Sequence, residues 1–226
     1  MQVEDNNYDL KRRNKMKDIK GAIFDLDGVI VDTAKYHYLA WKRLANEELG
    51  FDFTPEQNEM LKGVSRVRSL EILLELSGQT RTPEEQAELC DKKNAWYVES
   101  IKSIDESELL KGAKEYLIQL RNKGVLISLG SASKNAVPIL EGLGIVDLFD
   151  AIIDGNKVSK AKPDPEVFLK GAEALGLDPA DCAVFEDSYA GVQAAKAGGM
   201  YAVGIGTPEA LPLADEHVAG LYELLD

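Results

Sequence analysis

A short apolar run that ends in two acids constrains this chain more than any other feature. Ala22-Ile23-Phe24 reads as a buried strand of a parallel sheet. It stops abruptly at Asp25-Leu26-Asp27-Gly28. Carboxylates are almost never fully buried without a partner. Two of them at the end of a core strand therefore mark a site, because open α/β sheets hold their ligands at the carboxyl ends of the strands. Gly28 lets the chain turn sharply there.

The rest of the chain supplies the sheet that such a strand requires. After Gly112, a helix is predicted over 113–122, a strand over 124–129 and a helix over 134–143. A short strand follows at 151–153, then a helix over 165–175 capped by Gly176. Next come a strand at 183–185, a helix ending near Gly198-Gly199, and a last core strand over 201–205. Alternating strands and helices with apolar strands predict a doubly wound parallel sheet, Rossmann-like in architecture.

Residues 34–104 break that rhythm. Leu39, Ala40, Leu44 and Ala45 recur at helical spacing, and Gly50 closes the helix. Thr54-Pro55 and Thr82-Pro83 are helix starts, and Glu85 completes a capping box in the second. Further helices are predicted over 69–77 and 84–103. The expected organisation is therefore an N-terminal extension over 1–19, loosely ordered; an α/β core of 20–33 and 105–226; and a helical domain of four to five helices inserted at 34–104, directly after the first strand.

Composition narrows the partners. The 226 residues carry a formal net charge of −13, which argues against a nucleic-acid backbone as the main partner. No apolar run approaches the ~18 residues that span a bilayer, and residues 1–20 lack the apolar stretch of a signal peptide. Cys90 and Cys182 stand far apart, as free thiols of a reducing cytosol do. A cytoplasmic chain without membrane or nucleic-acid partners is the expectation.

Three more strand ends carry polar residues. Gly130-Ser131-Ala132-Ser133-Lys134-Asn135 offers a hydroxyl and backbone N–H groups at a helix start, a ready anion site. Lys162 precedes Pro163-Asp164-Pro165, and Glu186-Asp187 follows Ala183-Val184-Phe185. Adjacent acids at a buried strand end suit a hard cation such as Mg²⁺. Taken singly, these are also an ordinary serine cap, a solvated lysine and a capping acid pair.

Their order is not ordinary. Asp25-x-Asp27, then Ser131, then Lys162-Pro163, then Glu186-Asp187, each after an apolar strand, resembles the four-motif order of the haloacid dehalogenase superfamily. The resemblance implies Asp25 as nucleophile, forming a phosphoaspartate, and Asp27 as general acid/base. It implies Mg²⁺ held by Asp25, the Asp27 backbone carbonyl and Asp187, with Glu186 helping directly or through its neighbours. Ser131 and Lys162 bind the remaining phosphoryl oxygens.

Asp32-Thr33-Ala34-x-Tyr36-His37-x-x-Ala40-Trp41-Lys42, Leu61-Lys62-Gly63-Val64-Ser65-Arg66 and Ser131 to Asn135 resemble a sugar-phosphate mutase branch of that superfamily. The resemblance implies that His37 and Lys62 belong to a network that helps place Asp27. It implies that Arg66 grips a distal phosphate and that Trp41 offers a flat face to the sugar. Gly63, Ser69, Lys93, Ala132, Ser133, Lys134 and Asn135 line the substrate. The reaction implied is interconversion of β-D-glucose 1-phosphate and D-glucose 6-phosphate through a 1,6-bisphosphate, on a monomer whose partner is a small phosphorylated sugar. A sugar-phosphate phosphatase of the same fold is the alternative, and the residues leave the identity of the hexose open.

Overall fold

The run Ala22-Ile23-Phe24 lies at the centre of a six-stranded sheet. The strands are β1 (Gly21–Phe24), β2 (Leu126–Gly130), β3 (Ala151–Ile153), β4 (Cys182–Glu186), β5 (Tyr201–Ile205) and β6 (Glu216–Val218). They lie in the order β3-β2-β1-β4-β5-β6, and each neighbouring pair is parallel. β1 is flanked on one side by β2 and on the other by β4, so the strand order reverses beside its carboxyl end. That is the switch point at which doubly wound sheets open a crevice. The computed structural model describes residues 18–61 and 66–226. The extension expected over 1–19 falls almost wholly outside the described residues, as do Lys62 and Gly63.

The chain divides into two units. One is Thr33–Ile104; the other comprises residues 18–32 and 105–226. The first contains four α-helices among its described residues: α1 (Ala34–Leu44), α2 (Pro55–Asn58), α3 (Arg66–Ser77) and α4 (Pro83–Ile101). The helix predicted through Leu49 ends differently from expectation. Beyond Leu44 it widens into a π-helical turn, Ala45–Leu49, in which Gly50 N–H reaches the Ala45 carbonyl at φ 71°. Thr54 and Thr82 both close full capping boxes, with Gln57 and Glu85. Trp41, Leu44, Phe53, Leu70 and Leu73 form the core of this unit. Leu39, counted on the apolar face from the sequence, is instead 54% exposed, and Tyr38 packs inward beside Phe53.

The α/β unit adds α5 (Ala113–Asn122), α6 (Ala136–Gly142), α7 (Glu166–Leu175) and α8 (Tyr189–Ala197). Side chains alternate across a strand, and β1 is buried on both faces. On one face Phe24 stacks on Phe185 with centroids 4.4 Å apart, and Tyr116 of α5 meets both rings edge-on. Such aromatic pairs add about 0.5–1.5 kcal/mol beyond the area they bury. On the other face Ile23 and Val184 pack with Phe168, Ala172 and Val192. Gly130 is needed here: a Cβ on it would lie 2.7 Å from the Phe168 ring. Glycine thus lets α7 approach the end of β2 closely.

Two expectations about this unit are corrected. The last strand is not β5, because β6 pairs with it in parallel, Val203 opposite Glu216. Glu216-His217-Val218 carries almost no apolar signal, and its position depends on tertiary contacts such as His217 Nε2 on the Leu211 carbonyl at 2.9 Å. The helix predicted from Lys134 begins at Ala136. Ser133 N–H donates to Ser131 Oγ and Asn135 N–H to Ser133 Oγ, so these residues form turns instead of the first helical turn.

Candidate active site

The site grows from the register of β1 and β4. Phe24 lies opposite Phe185, and Asp25 N–H donates to the Phe185 carbonyl at 2.9 Å. This sets Asp25 beside Glu186 at the strand ends, both buried. Lys162 arrives from the loop before α7, in sequence far from both. Its Nζ donates to Asp25 Oδ1 at 2.6 Å and to Glu186 Oε2 at 2.7 Å, and it sits over the Phe168 ring. The solvated-lysine reading fails for Lys162, whose side chain is only 11% exposed.

Glu186 commits both oxygens to the protein. Oε1 accepts from Ser188 N–H and from Ser188 Oγ, and Ser188 Oγ in turn accepts from Gly191 N–H at the start of α8. A Cβ at Gly191 would fall 2.0 Å from Glu186 Cδ. Gly28 plays the matching part on the other loop. It adopts φ +79°, and a Cβ there would fall 2.0 Å from Asp187 Oδ2. Two glycines therefore allow the acids to pack against the turns. Around Asp27 the loop is tight, with Gly28 N–H on the Val31 carbonyl at 2.8 Å and Ile30 N–H on the Leu26 carbonyl at 2.9 Å.

Oxygens of Asp25, Glu186 and Asp187 lie within 4.8 Å of one another. Three acids facing one lysine leave excess negative charge, and their electrostatics reflect it. Burial raises the Asp25 carboxyl well above its usual range; Lys162 opposes that shift, while Glu186 and Asp27 add to it. Asp187 keeps an exposed edge, yet desolvation and then Glu186 draw its carboxyl up to about 7. Burial works against the Lys162 ammonium, and the two carboxylates more than offset it, so its pKa is raised. Hard oxygen donors, surplus anionic charge and carboxyls that resist ionising by themselves fit a small divalent cation.

Ser131 closes the site on the β2 side. It is buried, its N–H donates to the Ile153 carbonyl at 2.9 Å, and its Oγ accepts from Ser133, which leaves the hydroxyl proton to donate. The loop that carries Ala132, Ser133, Lys134 and Asn135 is held from β3: Gly155 N–H donates to the Ser133 carbonyl and Asn156 Nδ2 to the Lys134 carbonyl. Asn156 was not singled out from the sequence, and nothing local distinguishes it.

The remaining candidates lie in the helical unit. His37 Nδ1 is 2.8 Å from the Nζ of buried Lys93. Ser69 and Trp41 are also buried, Trp41 at 4% exposure within the core. Arg66 is exposed, and its guanidinium rests on neutral Asn94 at 2.8 Å. Arg68, two residues on, is instead bound by Glu71 and Glu75. Of the two, Arg66 is the cation suited to an incoming anion.

A parallel sheet whose switch point gathers a strand-end aspartate, a bridging lysine and an acid pair is the arrangement of an α/β enzyme with its site at the carboxyl ends of the strands. The chain belongs to the haloacid dehalogenase-like hydrolase family, whose model matches residues 19–199. It is 46% identical to the β-phosphoglucomutase of Bacillus subtilis, over 87% of this chain and 88% of that protein. A crystal structure of β-phosphoglucomutase from Clostridium difficile superposes with a TM-score of 0.80 at 41% identity, covering 91% of this chain and 93% of that one. A phosphorylated carbohydrates phosphatase of Thermotoga maritima is 33% identical over 80% of this chain and 82% of its own length. Among the described residues no helix is long and apolar enough to cross a membrane.

Proposed function

We propose that this chain is a phosphomutase that interconverts β-D-glucose 1-phosphate and D-glucose 6-phosphate through a phosphoaspartyl enzyme and β-glucose 1,6-bisphosphate. The chemistry is carried by one observation: Asp25, buried at the switch point, is held by Lys162 beside Glu186. The choice of branch is supported by the 46% identity to a mutase against 33% to a phosphatase.

Asp25 attacks the phosphorus of the bisphosphate, and the bond from phosphorus to the sugar oxygen breaks. Asp27 gives that oxygen its proton. In the return step Asp27 takes the proton from the C6 hydroxyl of an incoming β-glucose 1-phosphate, whose oxygen attacks the phosphoaspartate, breaks its phosphorus–oxygen bond to Asp25 and re-forms the bisphosphate. Lys162 and the Ser131 hydroxyl stabilise charge on the transferring oxygens. Asp25, Asp187 and the Asp27 carbonyl would hold Mg²⁺, with Glu186 fixed beside them, and the ion would supply charge neutralisation. Arg66 takes the phosphate that is not reacting, a role its planar fork suits.

The test incubates the protein with β-glucose 1-phosphate, Mg²⁺ and a trace of the bisphosphate, and measures glucose 6-phosphate against inorganic phosphate. Glucose 6-phosphate in large excess supports the mutase. Stoichiometric free phosphate with no glucose 6-phosphate overturns it in favour of a phosphatase.

A further inference from the structure

Lys93 has an unusual environment for a lysine. It is 2% exposed, and among the described residues no carboxylate contacts its Nζ. What surrounds the ammonium is aromatic. Nζ lies 4.9 Å from the Trp41 ring centroid and 4.9 Å from that of Tyr97. Among the described residues its hydrogen-bond partner is His37 Nδ1 at 2.8 Å, and the His37 ring stacks on Tyr97 with centroids 4.0 Å apart.

Helical spacing builds this arrangement. His37 and Trp41 are four apart on α1, and Lys93 and Tyr97 are four apart on α4, so each pair shares a face. Two facing helices thus close a quartet of an imidazole, an ammonium and two rings.

We infer that Trp41 and Tyr97 are positioning residues that clamp the Lys93 ammonium against His37 Nδ1 and so fix His37 as the neutral tautomer whose Nε2–H donates. An ammonium has donors and no acceptor, so the nitrogen facing it must be unprotonated, and the ring's proton must sit on Nε2. This gives Trp41 the part of a platform for a cation, where the resemblance implies a platform for the sugar.

The charges around the quartet show why a clamp is needed. Burial, first, and then Arg66 of α3 lower the Lys93 pKa to about 7, while Cys90, one turn back on α4, opposes them slightly. Burial of the ring, then Lys93 and Arg66, hold His37 well below its ordinary value. Ring faces attract a cation without adding a group that could take its proton.

The experiment is ¹⁵N NMR of the full chain. It contains two histidines, so His37 is read against His217 as internal reference. In the parent protein His37 should show an unprotonated Nδ1 and a protonated Nε2 while Lys93 Nζ is charged. Trp41→Leu and Tyr97→Leu should each lower the Lys93 Nζ midpoint by about one pH unit, the scale of a desolvated cation–π contact, and let the His37 tautomers mix. Tyr97→Phe keeps the ring and should keep both signatures. Unchanged midpoints and tautomer in both leucine variants, or equal loss in Tyr97→Phe and Tyr97→Leu, would overturn the clamp. If a leucine variant does not fold, Trp41→Phe serves: a smaller downward shift supports the clamp, and no shift rejects it. A kinetic consequence rests on the proposed mutase reaction, whose basic limb should move with the Nζ midpoint. A shifted midpoint in a protein without mutase activity counts against that reaction and leaves the clamp standing.

Discussion

Replacing Lys162 by methionine removes the cation that joins Asp25 to Glu186 and keeps most of the side-chain volume. The two carboxylates are 10% and 1% exposed, so water cannot take the ammonium's place. Breaking a buried pair by deleting one partner costs about 3–5 kcal/mol, because the other charge stays buried and uncompensated. Against a typical domain stability of about 5–15 kcal/mol, that is a large share. The loss must also depend on pH. Asp25 has a folded pKa raised by burial and partly restrained by Lys162. A raised carboxyl contributes fully below its unfolded value of ~3.9 and loses that contribution as pH rises through the folded value. Without Lys162 the folded value rises further, so the deficit opens as pH rises through the parent's already raised folded value and widens toward neutrality. Urea unfolding with a chelator present, at pH 5 and pH 7.5, measures it. We expect a loss of about 3–5 kcal/mol at pH 7.5 and a clearly smaller one at pH 5, with Mg²⁺ recovering part of the deficit at pH 7.5. A loss under about 1 kcal/mol at pH 7.5, or equal losses at both pH values, would refute the reasoning that Lys162 compensates buried charge.

Four other outcomes follow from the same geometry. Asp25→Asn should abolish turnover while leaving the circular dichroism spectrum unchanged, since only the nucleophile is lost; near-normal turnover would remove Asp25 from that role. Gly191→Ala should lower kcat by at least about tenfold and stability by roughly 1–3 kcal/mol, because its Cβ would meet Glu186 at 2.0 Å, and unchanged kinetics would show that Glu186 need not be held there. Mg²⁺ should raise Tm more at pH 8 than at pH 5.5: with Asp187 at about 7, the proton the metal must displace is already gone at the higher pH. An equal or reversed shift in a thermal melt would count against Asp187 as a ligand. Arg66→Ala should cut mutase kcat/KM by ~10²-fold or more, since a charge-assisted contact to phosphate is worth roughly 1.5–3 kcal/mol or above in a closed site, while hydrolysis of an aryl phosphate on the same preparation should change far less.

What the sequence by itself determined is whatever neighbouring residues decide among themselves. Ala22-Ile23-Phe24 had to be an interior strand, because an apolar run flanked by Asp25 and Gly28 has few other stable uses. Thr82-Pro83 and Glu85 had to start a helix, since cap, proline and acid satisfy the free N–H groups locally. The acids of the site were legible for the same reason: a carboxylate abutting a core strand is out of place unless it has work to do. Tertiary structure decided everything that depends on which distant segment arrives. Lys162 stands in a polar loop and reads as solvated until the strand order brings it 2.6 Å from Asp25, 137 positions away. Trp41 reads from the sequence as a face for the sugar, and only the packing of α4 shows the ammonium over its ring. Gly130 and Gly191 have no signal of their own, because their requirement is a neighbour's approach and not a backbone angle. β6 exists because an edge was available to pair with, not because Glu216-His217-Val218 prefers a strand. Local periodicity is set by the backbone's own geometry and can be read along the chain. Charge pairing and close approach are set by the order of strands in the sheet, which no short window of residues contains.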